Sequence, residues 1–406
     1  LSDIITRKKL HLLNWKPAVL PANSKGYNSF YGKKSKNGIN LIALYDEKSD
    51  GAFRYIHMLL QEMVNYDLYD TLFVIYKQQN ISCDYLNLPS NLKIKYIDVP
   101  VLGRGIRRIL FEQTVFYRYL VKCDVLYSYC LSMPLFMRCT KIFTLHDLYS
   151  YVDKERYGII RRFYIRTMVK LYVKAANKII TVSEHSKKDI KEYLSVQDEK
   201  LSITYNFVNL KYDIQPEVIY TPDNKIVDIE DSFFLYVGSL HNGKNIERMC
   251  KAYNLYKKRG GVRKLFIVGK MMENEDSYKE LIYNSDGILY LGYQPRSAVD
   301  YLQTICYATI LVSLYEGFGI PPLEGFMSSK PSIVSSKASL PEVVGEAGVY
   351  VDPYNIDDIA DAFFNLELNY DRYVSNTQKQ LAKFSPKVSV ETFMNTLGVK
   401  YKYIDK

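Results

Sequence analysis

The chain has 406 residues, of which 48% are hydrophobic and 24% are charged, and its formal net charge is +10. This length predicts two domains, and the composition is typical of a folded globular protein. Its six cysteines form no CxxC pair, which argues against a zinc site or a disulfide scaffold, and no apolar run is long enough to span a bilayer, so we expect a cytoplasmic protein.

The positive charge is distributed unevenly along the chain. The first 200 residues carry the whole surplus of Lys and Arg, and the remainder is near neutral. This asymmetry predicts that the first half meets something anionic, such as a nucleic acid, a membrane surface or a phosphorylated substrate. Because no nucleic-acid-binding module and no concentrated basic stripe are recognisable, we do not expect nucleic acid as the partner.

The first half alternates short apolar runs with amphipathic stretches, a rhythm typical of a parallel sheet covered by helices on both faces. The predicted strands are 40–45, 71–76, 94–99, 125–129, 141–145, 178–182 and 201–205, and the clearest predicted helices are 54–64 and 157–176. We assign residues 39–215 to this domain. Residues 1–38 contain no clear element and are interpreted as an appendage, and the polar stretch 211–231 as a linker.

The second half repeats the same rhythm. Its predicted strands are 233–237, 265–268, 288–291, 310–313 and 331–335, and its predicted helices are 245–258, 297–306, 323–327 and 355–366. We assign residues 216–385 to a second Rossmann-like domain and expect residues 386–406 to form a helix that crosses back to the first. The predicted fold class is therefore α/β, with two doubly wound parallel sheets facing a cleft.

In such sheets ligands bind beyond the carboxyl ends of the strands, so the cleft between the domains is the expected site. A dinucleotide-dependent oxidoreductase would use the same kind of domain. However, neither half has a G-x-G-x-x-G after its first strand, since the corresponding turns read DEKSDG and GSLHNG. This absence argues against an oxidoreductase.

The segment LYEGFGIPPLEGF, residues 314–326, is the most informative in the chain. Gly317 and Gly319 permit close backbone approaches to a ligand, and free N–H groups at the start of the following helix suit an anion. Glu316 and Glu324 flank this turn. Carboxylates repel phosphate but form strong hydrogen bonds to hydroxyl groups. Phosphates together with sugar hydroxyls describe a nucleotide sugar.

This E-x7-E segment, followed by SSKASLPEVVGEAGVYVDP, closely resembles the family-4 glycosyltransferases of GT-B fold, also described as mannosyltransferase-like or group 1 glycosyl transferases. The resemblance extends over residues 39–395. Further matching stretches are YVGSLHNGKNIERMCKAY (236–253), LFIVGK (265–270), YLGYQP (290–295), TLHDL (144–148), TVSEHSKKDI (181–190), FEQTVFYRYL (111–120) and ITYNFV (203–208).

The resemblance implies a retaining hexosyltransferase that moves a sugar from a nucleotide-diphosphate donor, a GDP- or UDP-sugar, to a hydroxyl of a glycan or lipid-linked glycan. It implies no metal and no cofactor besides the donor, and a place in polysaccharide assembly. No protein nucleophile is implied, so catalysis would rest on orientation and on stabilisation of the departing diphosphate. The alternative left open is a non-catalytic relative that binds nucleotide sugars.

The resemblance also implies roles for individual residues. Glu324 would hold the ribose hydroxyls, and Glu316 would contact hydroxyls of the transferred sugar. Lys244 would neutralise the diphosphate, and it would do so as the main cation because Ser239 and Gly243 stand where relatives have arginines. The remaining implied donor-site residues are Gly317, Phe318, Gly319 and Ile320 through their backbones, Gly269, Lys270 and Tyr293 at the base, His146 at the sugar, and Gly51 near the diphosphate or the acceptor.

Some features have an ordinary structural reading beside the functional one. Asp147 could simply orient its turn, and His185 could simply begin a helix. The basic stretch 155–178 could lie on an anionic membrane as a peripheral contact, or could be an ordinary covering helix with a solvated face. The basic residues that raise the membrane possibility are Arg104, Arg107, Arg108, Arg161, Arg162, Arg166, Lys170 and Lys174.

Overall fold

A computed structural model describes residues 35–47, 51–103, 105–120, 123–153, 158–209, 214–229, 232–272 and 275–404. Most of the predicted appendage, like Arg104, therefore lies outside the described residues. Among the described residues, no helix is both long enough and apolar enough to cross a membrane.

Seven parallel strands form the first sheet, in the order β4-β3-β1-β5-β6-β7-β8. The strands of this half are β1 (Ser35–Asn40), β2 (Tyr66–Tyr69), β3 (Thr71–Gln78), β4 (Ile94–Val99), β5 (Val125–Ser128), β6 (Thr140–Thr144), β7 (Lys178–Thr181) and β8 (Leu201–Ile203). Its helices are α1 (Gly51–Glu62), α2 (Cys83–Leu86), α3 (Ile106–Thr114), α4 (Tyr149–Val152), α5 (Ile159–Ala175) and α6 (Glu184–Leu194). We call this part the first domain.

The predicted first strand at 40–45 is wrong in position, because β1 is Ser35–Asn40 and the apolar run follows it. Periodicity fails here because the polar side chains of Asn37 and Asn40 are buried in a central strand. Tertiary contacts satisfy Asn40, whose amide donates to the Ser132 carbonyl oxygen at 2.8 Å. A local sequence pattern carries no sign of such a partner.

A buried carboxyl group lies beside this strand. The Oε1 atom of Glu112 accepts hydrogen bonds from Ser132 Oγ at 2.7 Å and from Asn40 at 3.2 Å, and Arg108 lies 3.3 Å from Oε2. Burial raises the pKa of Glu112 to about 7, against the opposing effects of Arg108 and the two hydrogen bonds. The folded protein therefore holds a proton that the unfolded chain releases near its ordinary pKa of 4.5.

Replacing Glu112 by Gln is expected to remove a pH dependence of stability. The contribution of a raised pKa is fully present below pH 4.5 and is lost as the pH rises through about 7. The free energy of unfolding of the wild type should fall relative to E112Q by about 3 kcal/mol over that window. Urea titrations at several pH values measure it, and a difference that does not change with pH contradicts the account. Glu247→Gln is the control, because Glu247 is exposed and a hydrogen bond from Lys251 lowers its pKa. Relative to this variant, the free energy of unfolding of the wild type should rise slightly with pH, which is the opposite sign.

Six parallel strands form the second sheet, in the order β11-β10-β9-β12-β13-β14. They are β9 (Phe233–Val237), β10 (Lys264–Val268), β11 (Ile288–Gly292), β12 (Ala308–Leu311), β13 (Ser332–Ser335) and β14 (Gly348–Val351). The helices are α7 (Ile246–Lys258), α8 (Glu275–Tyr283), α9 (Arg296–Ile305), α10 (Ile320–Phe326), α11 (Leu340–Val344), α12 (Ile356–Leu368) and α13 (Tyr370–Leu381). We call this part the second domain. The α/β architecture with two parallel sheets confirms the predicted fold class.

The end of the chain packs against the first domain. Helix α14 (Pro386–Leu397) lies on α1, and its Phe393 ring meets Tyr127 of β5 edge-on at 4.9 Å. Strand β15 (Lys400–Tyr403) then pairs antiparallel with β2. The sequence pattern does not predict this final strand, because four residues are too few to show a clear alternation.

Candidate functional site

The motif with two glutamates occupies the carboxyl end of β12 and the start of α10. Residues 314–319, which we call the donor turn, connect the two elements. Gly319 has φ = +103°, and a Cβ atom there would lie 2.5 Å from Leu340 Cδ2, so this position requires glycine. The side chain of Phe318 is buried against Phe384, which leaves only its backbone facing a ligand.

Glu316 and Lys244 are brought together, as the resemblance implies. The Nζ atom of Lys244 lies 2.5 Å from Glu316 Oε1, and Ser313 Oγ donates to the same oxygen at 2.7 Å. The amide of Leu314 donates to the Gly243 carbonyl at 2.9 Å, which ties the donor turn to the loop that carries Lys244. Both charged side chains remain partly exposed, at 21% for Lys244 and 13% for Glu316.

Gly243 has a packing reason to lack a side chain. A Cβ atom there would lie 1.5 Å from the hydroxyl oxygen of Tyr149, which belongs to α4 of the first domain. The tyrosine thus fills the space that an arginine of the relatives would need. The carbonyl of Ser239 accepts a hydrogen bond from Tyr236 Oη at 3.0 Å, so the loop is fixed from both domains.

Glu324 is buried among partners that sequence analysis missed. Only 3% of its side chain is exposed, and its Oε1 atom lies 2.7 Å from both Arg296 and Arg54. Gln303 donates to Oε2 at 2.9 Å. Burial raises the pKa of Glu324, but Arg296 and Arg54 outweigh it and the net pKa is lowered, so the carboxylate is ionised at neutral pH.

These partners come from different parts of the chain. Arg296 and Gln303 lie on α9, directly after the YLGYQP stretch, and that position could have drawn attention to them. Arg54 lies in the first turn of α1, 270 residues away from Glu324 and in the other domain. Nothing local in the sequence indicates that contact.

The nucleotide-base stretches meet at the ends of β9, β10 and β11. Gly269 has φ = +145°, and a Cβ atom there would lie 1.8 Å from the Gly238 carbonyl oxygen, so the two loops touch through their backbones. The ammonium of Lys270 lies 5.0 Å from the ring centre of Tyr293, which is 71% exposed. The structure therefore groups Gly269, Lys270 and Tyr293, and their role in binding a base stays a prediction.

On the first-domain side, His146 faces the donor turn. A Cβ atom at Gly317 would lie 2.8 Å from the His146 carbonyl oxygen. The imidazole lies edge-on to Tyr55 at 5.2 Å, with Nε2 3.2 Å from the Tyr129 carbonyl. Gly51 is the first residue of α1, and open space surrounds the position of a Cβ atom there, so packing alone does not require glycine.

The two domains are joined directly at the donor turn. The carbonyl of Gly317 accepts hydrogen bonds from Ser183 Oγ at 2.7 Å and Ser186 Oγ at 3.2 Å, both from the α6 region. Tyr315 donates to Asp189 at 2.6 Å. The carboxylate of Glu342 accepts the amide of Glu184 at 2.9 Å, at the positive end of α6.

Asp147 and His185, each of which could have an ordinary structural role, both contact neighbouring residues of the first domain. Asp147 Oδ1 accepts the amide of Tyr149 at 2.9 Å, which orients the turn into α4. His185 sits in the first turn of α6, and its Nε2 lies 3.4 Å from Asp189. Within the described ranges no three His, Cys, Asp or Glu side chains form a group that could hold a metal ion.

Known families match both halves of the chain. The family described as Glycosyl transferases group 1 matches residues 222–387, and Glycosyltransferase Family 4 matches residues 49–212. Together the two matches span most of the chain and include every residue discussed above in the cleft.

Curated relatives and solved structures agree with these families. O-antigen chain mannosyltransferase B of Escherichia coli is 28% identical, over 53% of this chain and 58% of that protein. O-antigen chain mannosyltransferase RfbU of Salmonella typhimurium is 27% identical, over 59% of this chain and 67% of that protein. The matches thus span between about half and two thirds of these relatives.

The structure of Anabaena HepE, solved in complex with UDP and glucose, superposes with a TM-score of 0.64 at 16% identity and covers 90% of this chain and 99% of that one. This likeness shows the fold. With both family matches, two parallel-sheet domains and the E-x7-E turn at their junction, the chain belongs to the family-4, or group 1, glycosyltransferases of GT-B fold.

Proposed function

We propose that the protein is a retaining glycosyltransferase that moves a hexose from a nucleotide-diphosphate sugar to a hydroxyl of a glycan or lipid-linked glycan. The observation that carries the proposal is the donor turn with the helix α10 after it, where a Glu316–Lys244 pair and an ionised, buried Glu324 lie at the junction of the domains. Such a site offers carboxylates to hydroxyl groups and a cation to phosphate.

The reaction would depend on charge stabilisation and positioning. As the bond between the sugar and the diphosphate breaks, negative charge grows on the diphosphate, and the ammonium of Lys244 would stabilise it. An ammonium has three N–H donors, so Lys244 can contact a phosphate while it keeps Glu316. His146 would position the sugar from the opposite side of the cleft. The acceptor hydroxyl would attack on the face that the diphosphate leaves and would pass its proton to the departing diphosphate oxygen.

The side chains in the cleft supply enough positive charge for us to propose catalysis without a metal ion. Lys244 pairs with Glu316 of the donor turn, and Arg54 and Arg296 pair with Glu324 in the helix that follows it. Cationic side chains can neutralise a leaving diphosphate as a bound metal does. Accordingly, we expect EDTA to leave the transfer rate unchanged.

The relatives suggest a donor and an acceptor. Two of them are named O-antigen chain mannosyltransferases, and HepE binds UDP and glucose. We therefore propose a GDP- or UDP-hexose as the donor, with mannose favoured as the sugar, and a growing polysaccharide as the acceptor.

A thermal-shift panel tests donor binding. GDP-, UDP- and ADP-sugars are added separately, and one class is expected to raise the Tm by mass-action linkage. Hydrolysis of the same donor, measured with and without EDTA, then separates an enzyme from a non-catalytic relative that only binds nucleotide sugars. A panel in which no nucleotide sugar raises the Tm contradicts the proposal.

We also propose that the first domain contacts an anionic membrane, at its cytoplasmic face, to reach a lipid-linked acceptor. Helix α5 begins with apolar side chains that are largely exposed, at 78% for Ile159, 88% for Ile160 and 74% for Phe163. Exposed Lys170 and Lys174 lie on the same helix. Apolar residues beside cations suit a bilayer surface that carries anionic lipid.

Some of the basic residues do not support the membrane reading. Arg166 donates to the Ser150 carbonyl at 2.8 Å and stacks over Tyr151, and Arg108 pairs with buried Glu112. These two side chains have structural partners within the domain. The proposed contact therefore rests on the exposed apolar residues at the start of α5 and on exposed Lys170 and Lys174.

Co-sedimentation with liposomes measures this contact. The wild type is expected to sediment with vesicles that contain anionic lipid at low salt, and Ile160→Glu with Phe163→Glu should abolish sedimentation by placing charge in the apolar contact. Val262 of the second domain is equally exposed at 75%, so Val262→Glu is the matched control and should bind as the wild type does. Failure of the wild type to sediment contradicts the proposal.

A further inference from the structure

The carboxylate of Glu324 already has three partners, and only 3% of the side chain is exposed, so it cannot accept both ribose hydroxyls as it stands. Its Oε1 atom is shared by Arg54 and Arg296, and its Oε2 atom accepts from Gln303. If Glu324 binds ribose hydroxyls, as proposed above, at least one of these partners must give way. The inference that follows rests on that proposed function.

Arg54 is the partner that can leave. Arg296 and Gln303 both lie on α9, in the same domain as Glu324. Arg296 also pairs with Asp300 at 2.5 Å. Arg54 reaches Glu324 from the other domain and pairs with this carboxylate at 2.7 Å. Its side chain is 33% exposed, so the guanidinium can move without opening the core.

Before a donor binds, the loop after β9 offers a diphosphate a single cation, Lys244. Ser239 supplies no charge, and Gly243 cannot carry a side chain because Tyr149 fills the space beside it. Lys244 is the remaining cation of that loop, and it is engaged with Glu316. A nucleoside diphosphate brings at least two negative charges into this partly buried cleft, and each needs a partner.

We propose that Arg54 is a ligand of the donor diphosphate, held on Glu324 until the ribose hydroxyls take its place. The ribose and the diphosphate are covalently joined, so a guanidinium displaced from Glu324 by the ribose lies beside the phosphates. The exchange leaves every charge partnered, since Glu324 keeps Arg296 and gains hydroxyls while Arg54 gains phosphate. A guanidinium suits both partners because its planar fork matches carboxylate and phosphate oxygens alike.

The exchange would also link the two domains to the donor. Without a ligand, Arg54 joins α1 to the second domain through Glu324. With a ligand, the same side chain would join α1 to the donor itself. The first domain would then sense whether a diphosphate is present, and the nucleoside part alone would gain nothing from Arg54.

Substitution of Arg54 tests this assignment by the sign of its effect. Binding of GDP, UDP, guanosine and uridine is measured by calorimetry for the wild type and for Arg54→Gln. For the base that binds, the Kd of the diphosphate should rise about tenfold to a hundredfold. The Kd of the nucleoside should stay the same or fall, because a competitor for Glu324 is removed. Arg54→Lys should lie between, since it keeps the charge without the fork.

A second exposed arginine of the chain serves as the control. Arg259 is similarly exposed at 38% and also bridges carboxylates, Asp357 and Asp361, so Arg259→Gln controls for loss of a surface cation and should change no Kd. If R54Q binds the diphosphate as tightly as the wild type, or more tightly, Arg54 only competes for Glu324 and the assignment is wrong. If the wild type binds neither diphosphate, the proposed function itself fails.

Discussion

Replacing Glu324 by Gln is expected to lower the kcat/KM for the donor by about a hundredfold to a thousandfold. The carboxylate is nearly inaccessible, at 3% exposure, and would accept two charge-assisted hydrogen bonds from ribose hydroxyls. The amide keeps the shape but loses the charge that Arg54 and Arg296 surround. Initial rates at a series of donor concentrations give kcat and KM separately. Most of the loss in kcat/KM should come from a raised KM for the donor.

A stability control accompanies this variant, because Glu324→Gln also removes the carboxylate that Arg54 and Arg296 share. Glu367 pairs with Arg263 at 2.6 Å in the same domain and is 20% exposed, so Glu367→Gln breaks a comparable ion pair away from the cleft. Both variants should lower the Tm, and only Glu324→Gln should weaken the donor. Wild-type donor affinity in E324Q would contradict the assigned role.

Lys244→Met is expected to reduce kcat by about a hundredfold to a thousandfold, because the ammonium would act mainly on charge that develops as the diphosphate leaves. Loss of the side chain should cost little stability, since it is partly exposed and Glu316 keeps its hydrogen bond from Ser313. Single-turnover kinetics with saturating donor measure the change. Lys244→Arg should recover part of the rate.

Lys251→Met is the matched control for this prediction. Lys251 lies on the following helix and pairs with exposed Glu247 at 2.5 Å, away from the donor turn. Its removal should leave kcat unchanged. If Lys244→Met raised KM alone and left kcat intact, Lys244 would bind the ground state and the transition state equally, and its proposed role at the leaving group would be wrong.

Local patterns predicted the second domain well. Strand β9 reads FFLYV between a polar residue and Gly238, and its predicted and observed bounds agree. The loops that follow β9, β10 and β12 carry glycines whose conformations or contacts exclude a side chain, such as Gly269 and Gly319. Those constraints act within a few residues, so motif and structure coincide there.

Long-range contacts could not be predicted in the same way. Strand β1 contains the buried Asn40, whose partners Glu112 and Ser132 lie more than seventy residues later in the chain, and the apolar run after the strand misled the pattern. The pairing of β15 with β2 joins residues 400–403 to residues 66–69, which are far apart in the chain. Both depend on which elements the fold brings side by side.

The same limit applies to the candidate site. The E-x7-E spacing indicated Glu316 and Glu324, but Arg54 and Arg296, which pair with Glu324, and Ser183, which donates to the Gly317 carbonyl, were not foreseen. Ser183 binds the donor turn from 134 residues away, and Arg54 reaches Glu324 from the other domain. The sequence pattern identifies the side chains that are expected to contact the donor. The residues that hold those side chains in place are identified only by the way the two domains pack.

A crystal structure with the nucleoside diphosphate or donor that gives the largest thermal shift tests the central claim most directly. The account predicts ribose hydroxyls within hydrogen-bond distance of Glu324, and phosphates against Lys244 and the backbone amides of residues 317–320. A nucleotide bound away from the donor turn, with Glu324 still paired to Arg54 and Arg296, would contradict it.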